Sequence, residues 1–170
     1  VVELPWVENH ADERRTLEQF VDFFRAVAAR KLIGLTPEQA NRRAIEPTTM
    51  TIAGIVKHLA FVEDSWFQKT LHGRELPEPW KSAPFAADRD WDFNSAGDDS
   101  PESLVELYAS ACERSRAAIE GVSLDTITAP DASGEQFSLR WILVHMVDET
   151  ARHAGHLDLL REAIDGATGD

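Results

Sequence analysis

The chain has 170 residues, 43% apolar and 28% charged, with a formal net charge of −13. That composition is globular, and the length suits one domain spanning residues 1–170. A field this acidic, with no Lys/Arg-rich run to offset it, argues against nucleic acid and anionic membrane surfaces as partners. Cys112 is the only cysteine, which excludes an intrachain disulfide and any all-cysteine zinc site.

Four segments carry helical periodicity. The opening stretch VVELPWVENHADERR has neither a basic nor an apolar leader pattern, so a cytoplasmic location is expected. The first helix is expected from about Asp12 to Leu35, with Leu17, Phe20, Val21, Phe24 and Val27 or Ala28 on its apolar stripe. Thr36-Pro37-Glu38-Gln39 reads as a restart, with Thr36 as N-cap and Pro37 at the first helical position. The second long helix, about Thr49 to His72, aligns Ile52, Ile55, Leu59, Val62 and Trp66. Residues 73–99 follow, proline-rich and carrying Trp80, Trp91 and Phe93. This long connection is expected to lie over one end of the fold as a lid.

The third helix opens at Ser100-Pro101 and runs to Glu120 before Gly121; the fourth runs from Ser138 to Ile164, with Gly166 as its stop. No stretch shows the sustained alternation of a strand. The expected architecture is therefore all-α, a four-helix bundle with one long crossover.

The fourth helix carries DETARHAGHLDLL at 148–160. Glu149 and His153 are four apart, share one face, and fall within the apolar stripe of Leu139, Ile142, Met146, Leu157, Leu160 and Ile164. A carboxylate facing a core needs a partner. One candidate is a divalent metal held by Glu149, His153 and His58, which flanks the stripe of the second helix; three protein donors leave an open coordination position. The other is an ordinary ion pair, with Arg152 or another arginine. His156 is either an alternative ligand or a hydrogen-bonding neighbour of the site. His10, His72 and His145 suit capping or surface roles, and Cys112 suits a small buried hydrophobe. H-E-x-x-H, E-x-x-H, phosphate-loop and G-x-S-x-G patterns are absent.

Two stretches, TMTIAGIVKHLAFVEDSWF (Thr49–Phe67) and LRWILVHMVDETARHAGHLDLLRE (Leu139–Glu162), resemble the DinB/YfiT-like superfamily of four-helix metal-binding proteins. The likeness is to the actinobacterial branch related to mycothiol-dependent maleylpyruvate isomerases and thiol S-transferases. It implies zinc or nickel held by His58, Glu149 and His153. The last-helix pair here is E-x-x-x-H where the superfamily commonly has H-x-x-x-H, which leaves the metal's identity open. The implied activity is transfer of a low-molecular-weight thiol such as mycothiol, activated as a metal-bound thiolate, to a small electrophile, or isomerisation. Arg152 and His156 would orient the thiol, and Trp80 and Trp91 would cover the substrate. A hydrolase using metal-bound water, and a non-enzymatic bundle in which His156 closes the metal site, are the alternatives. The superfamily commonly dimerises through one or two helices, so a homodimer is a candidate assembly.

Overall fold

The computed structural model describes residues 3–169. The elements in chain order are α1 (Glu13–Arg30), α2 (Pro37–Ala40), α3 (Ile52–Asp64) continuing as a π-helical turn (Ser65–Thr70), α4 (Trp91–Asn94) running into a 3-10 turn (Ser95–Asp98), α5 (Pro101–Ile119) and α6 (Leu139–Asp165). The architecture is all-α. The only extended pairing among the described residues is an isolated bridge between Ile127 and Ser138.

The ends of the helices follow from local chemistry. Asp12, Thr36, Thr51, Ser100 and Ser138 each accept a backbone N–H from the first turn they precede, satisfying donors that otherwise have no intrahelical partner. Thr36 and Gln39 complete a reciprocal capping box. Gly166, at φ 76°, closes α6 in the left-handed conformation glycine adopts without strain.

Ion pairs between helices fix their directions. Glu13 meets Arg140 and Lys31 meets Asp158, so α1 and α6 run parallel. Lys57 meets Asp99 just before α5, and Asp64 meets Arg114 on it, so α3 and α5 also run parallel. Arg14, at the start of α1, donates to the carbonyls of Ile119 and Val122 at the end of α5, setting the two pairs antiparallel. Parallel neighbours cannot be joined by a short turn, so the chain needs a long return between α3 and α5. Residues 73–99 are that return, docked along α3. Trp80 donates its indole N–H to Asp64 at 2.9 Å, Phe61 packs on Trp80 and Phe85, and Lys57 lies 4.7 Å from the centre of the Trp91 ring.

The structure corrects three expectations. The first helix stops at Arg30 rather than Leu35; Arg161 of α6 donates to the carbonyls of Lys31 and Ile33, holding the chain in turns there. Phe20, expected on the buried stripe, is 40% exposed, whereas Arg25 is 5% exposed. Arg25 is buried because Glu63 of α3 meets it in a two-pronged pair, with distances of 2.7 and 2.6 Å. Trp80 does not cover a site: at 2% exposure it belongs to the core. Cys112 is buried, as expected, and burial pushes its thiol pKa far up.

Candidate metal centre

α3 and α6 are antiparallel neighbours, and each contributes to one polar cluster at their seam. His58 sits one turn after Gly54 on α3; Glu149 and His153 sit one turn apart on α6. Glu149 Oε1 is 3.3 Å from His58 Nε2 and 3.3 Å from His153 Nε2. The three donor atoms all lie within 4.8 Å of one another. A tetrahedral centre with bonds of about 2.0 Å has ligand–ligand edges of about 3.3 Å. Two of the three edges therefore already have the length a divalent cation requires, and the donor set of two imidazoles and a carboxylate suits zinc or nickel.

A fourth residue makes the fit sharper. His58 Nδ1 lies 2.6 Å from Asp92 Oδ2. A carboxylate only accepts, so Nδ1 carries the proton and donates it. In neutral His58, Nε2 is then a lone pair facing the Glu149 carboxylate. That arrangement is repulsive unless a second proton or a cation lies between them. Metal-ligating histidines are commonly oriented in this way, by a carboxylate on the other ring nitrogen. Asp92 is 3% exposed and belongs to α4, which no side chain caps. Its neighbours anchor it: Phe93 stacks on His58 at 4.3 Å between ring centres, and Trp91 lies beside Lys57. Gly54 permits this approach, since a Cβ there would stand 3.3 Å from the Phe93 carbonyl and 3.4 Å from its ring.

The electrostatics set one carboxylate charge between two imidazoles. Hydrogen bonds from His153 and then His58 hold the Glu149 carboxyl far below the usual carboxylate range, against its partial burial. Burial disfavours a charged His58, but Asp92 and Glu149 outweigh it and raise its pKa. His156 is lowered, by burial and then by the neighbouring positive charges of His153 and Arg152.

The structure thus brings His58, Glu149 and His153 together. His156 lies outside that cluster, its Nδ1 3.5 Å from His153 Nδ1, on the ring edge facing away from Glu149. Arg152 is exposed, pairs with Asp148, and reaches Glu149 Oε2 at 3.4 Å. His145 stacks on Trp141 and meets Trp66 at a tilt; His72 is exposed and meets the Ala118 carbonyl. Asp92 escapes the sequence reading because it is one acidic residue among several between 88 and 99. The only local signal is its position between two aromatics, Trp91 and Phe93.

A bundle with two histidines and a carboxylate converging between antiparallel helices defines the class: a four-helix protein built around a candidate divalent-metal centre. Within that class the chain matches the mycothiol-S-transferase family over residues 16–166 and belongs to it. No curated protein sequence matches it. Two solved structures share the fold: a mycothiol-dependent maleylpyruvate isomerase and a variant of it with one histidine replaced by alanine. Each is 16% identical with a TM-score of 0.60, over 83% of this chain and 59% of theirs. The chain spans about three fifths of the length of those proteins, and at that identity the likeness is one of fold. No helix among the described residues is long and apolar enough to cross a membrane.

Proposed function

We propose that the protein is a metal-dependent transferase that conjugates a low-molecular-weight thiol of the mycothiol type to small electrophiles in the cytoplasm. Membership of the mycothiol-S-transferase family supplies the reaction class. The observation that carries the reading is the pair of 3.3 Å edges meeting at Glu149 Oε1, with His58 locked by Asp92 to offer Nε2.

A zinc or nickel ion held by His58, Glu149 and His153 would supply a Lewis acid that lowers the pKa of a thiol at neutral pH. The protein's own residues prepare the place. Asp92 keeps the His58 proton on Nδ1. Phe93 covers one face of the His58 ring and excludes water from it. Arg152 holds the outer oxygen of Glu149 and leaves Oε1 turned toward the imidazoles. Arg152 and His156 border the centre and would orient the polar part of the thiol. In the transfer the sulfur lone pair forms the new S–C bond, and the thiol proton leaves with the departing group or adds to the electrophile. With His156 outside the cluster, the three donors would leave a coordination position open on a bound ion, which favours an enzyme over a closed structural site.

The test is elemental analysis of protein purified without chelator, beside His58→Ala and Glu149→Ala, with conjugation of mycothiol to a bimane or chlorodinitrobenzene electrophile followed in parallel. The expected result is one divalent cation per chain, lost in both variants together with thiol conjugation. Cation retained in both variants would overturn the ligand set. Turnover of the electrophile without thiol would convert the reading to hydrolysis by activated water.

A further inference from the structure

The seam between α3 and α6 extends beyond the metal centre. Trp141, His145, Glu149 and His153 follow one another at intervals of four on α6, so they form one ridge along the helix. On α3, Trp66 lies two turns after His58, in the π-helical turn that ends the helix, a winding that recurs at functional sites. Where the ridge leaves the centre, four rings gather. His145 stacks on Trp141 with ring centres 5.2 Å apart and planes 13° from parallel. Trp66 stands 4.7 Å from His145 and 5.4 Å from Trp141, tilted to both, and Phe137 packs on Trp141 at 4.7 Å. His145 precedes Glu149 by one turn, about 6 Å, and Trp141 precedes it by two, about 12 Å. Val62, one turn after His58, and Met146, three residues before Glu149, share an apolar cluster with Trp66 and Phe137. An apolar floor therefore runs from the rings toward the centre.

The core does not account for the outermost ring. Ile142, Leu143 and Met146 fill it at no more than 1% exposure, while Trp141 stays 45% exposed. Charge narrows what would lie on that indole. The facing stretches 58–66 and 141–152 hold a single Lys or Arg, Arg152, and it is already paired with Asp148 and Glu149. Glu63 and Asp64 are buried and paired with Arg25 and Arg114. An electrophile carrying carboxylates of its own meets no free cation along these stretches. Indole faces are electron-rich, so they stack best on an electron-poor ring. The substituents that open an aromatic ring to attack by a thiol are the ones that withdraw its electrons.

We propose that Trp141, with His145 and Trp66, forms the subsite for the electrophile, and that the electrophile is an uncharged aromatic ring bearing electron-withdrawing substituents. The inference rests on the thiol-transfer reading above and names its second substrate. A ring lying on Trp141 and His145 has its edge within one turn of Glu149, where its reacting carbon meets a thiol held at the centre. For an aryl chloride, the sulfur lone pair forms the S–C bond, the C–Cl pair leaves as chloride, and the thiol proton passes to water.

The experiment measures kcat/KM, with zinc loaded and mycothiol saturating, for chlorodinitrobenzene and for iodoacetamide, an uncharged electrophile without a ring. Wild type, Trp141→Ala and Trp141→Phe are compared. Trp141→Ala is expected to lower the ratio of the aromatic to the aliphatic value about tenfold, the worth of a stacked ring, and Trp141→Phe to keep it within about threefold of wild type. A ratio unchanged in Trp141→Ala, or an equal fall in both variants, overturns the subsite and leaves thiol transfer standing. If the wild type conjugates neither electrophile, the transfer reading fails, and an NMR titration with unreactive 1,3-dinitrobenzene decides the subsite alone. A saturable shift of the Trp141 and Trp66 indole N–H signals, with binding about tenfold weaker in Trp141→Ala, supports it. No saturable shift, or equal binding to both proteins, overturns it. Circular dichroism of each variant confirms the bundle.

Discussion

Asp92→Asn isolates the contribution of one atom to the centre. The substitution preserves the size of the side chain and replaces one carboxylate oxygen with an amide nitrogen. In its better orientation the amide still accepts from His58 Nδ1 at about the present 2.6 Å, but without the negative charge. Three things are lost: the charge assistance of the bond, the tautomer preference it enforces, and the electron donation that makes Nε2 a better ligand. Outer-shell partners of this kind are worth 10–100-fold in metal affinity, or about 1.4–2.7 kcal/mol. Asp92 is buried and His58 is its partner among the described residues, so the upper half of that range is expected. Competition for zinc against a chromophoric chelator at pH 7.5 measures it. Asp88→Asn is the control, since Asp88 also serves this segment, through Asn94, but does not touch His58. Zinc affinity within threefold of wild type in Asp92→Asn, with the bundle intact, would refute the reasoning. So would an equal loss in Asp88→Asn, which would show that the effect is disorder of the crossover.

Three further outcomes follow from the same contacts. In the metal-free protein, His58 has a raised pKa, so its stabilising contribution is full below its ordinary value of 6.5 and is lost as pH rises through the folded value. Glu149 is lowered, so its contribution is full above its ordinary 4.5 and is lost as pH falls through the folded value. Metal-free stability from this pair should therefore be greatest between about pH 4.5 and 6.5. The rise in Tm on adding zinc, which displaces the His58 proton, should grow from pH 6 to pH 8; a zinc effect independent of pH would contradict the ligand assignment. Gly54→Ala places a Cβ 3.0 Å from Thr51 Oγ1 and 3.3 Å from the Phe93 carbonyl. It should weaken zinc binding several-fold while changing urea stability by about 1 kcal/mol or less, because alanine's helix preference offsets the crowding. Glu63→Ala leaves the Arg25 charge buried without its main partner and should cost about 3–5 kcal/mol, a fall in Tm of roughly 6–20 °C for a chain of this size, read by calorimetry.

The legible parts of the structure are those governed by neighbours in sequence. Ser138 and Gly166 mark the ends of α6 because capping and left-handed termination involve residues within one turn. Glu149 and His153 stand out because a spacing of four on a helix is itself a spatial contact. What escaped depends on distant partners. The end of α1 is set by Arg161, some 130 positions away, and the burial of Arg25 by Glu63, 38 positions away. Trp80 looks like a lid residue until Asp64 supplies an acceptor for its indole in the core. Asp92 is the instructive case. It is one of several acidic residues in its segment, and its role exists only because the return between two parallel helices lies along α3.

The seam between α3 and α6 also has a consequence for how the chain reaches its native state. His58 and Glu149 are 91 residues apart, and α6 is the last helix. A chain in which α6 has not yet docked offers a divalent ion one imidazole from α3 and, separately, a carboxylate–imidazole pair on an unanchored helix. Neither can hold it as the assembled three donors do. For an ion held by these three residues, capture and closure of the bundle would be one event, and the ion would be a latch on the finished fold rather than a template for it. Metal content per chain would report the fraction of a preparation in which the last helix has found its place.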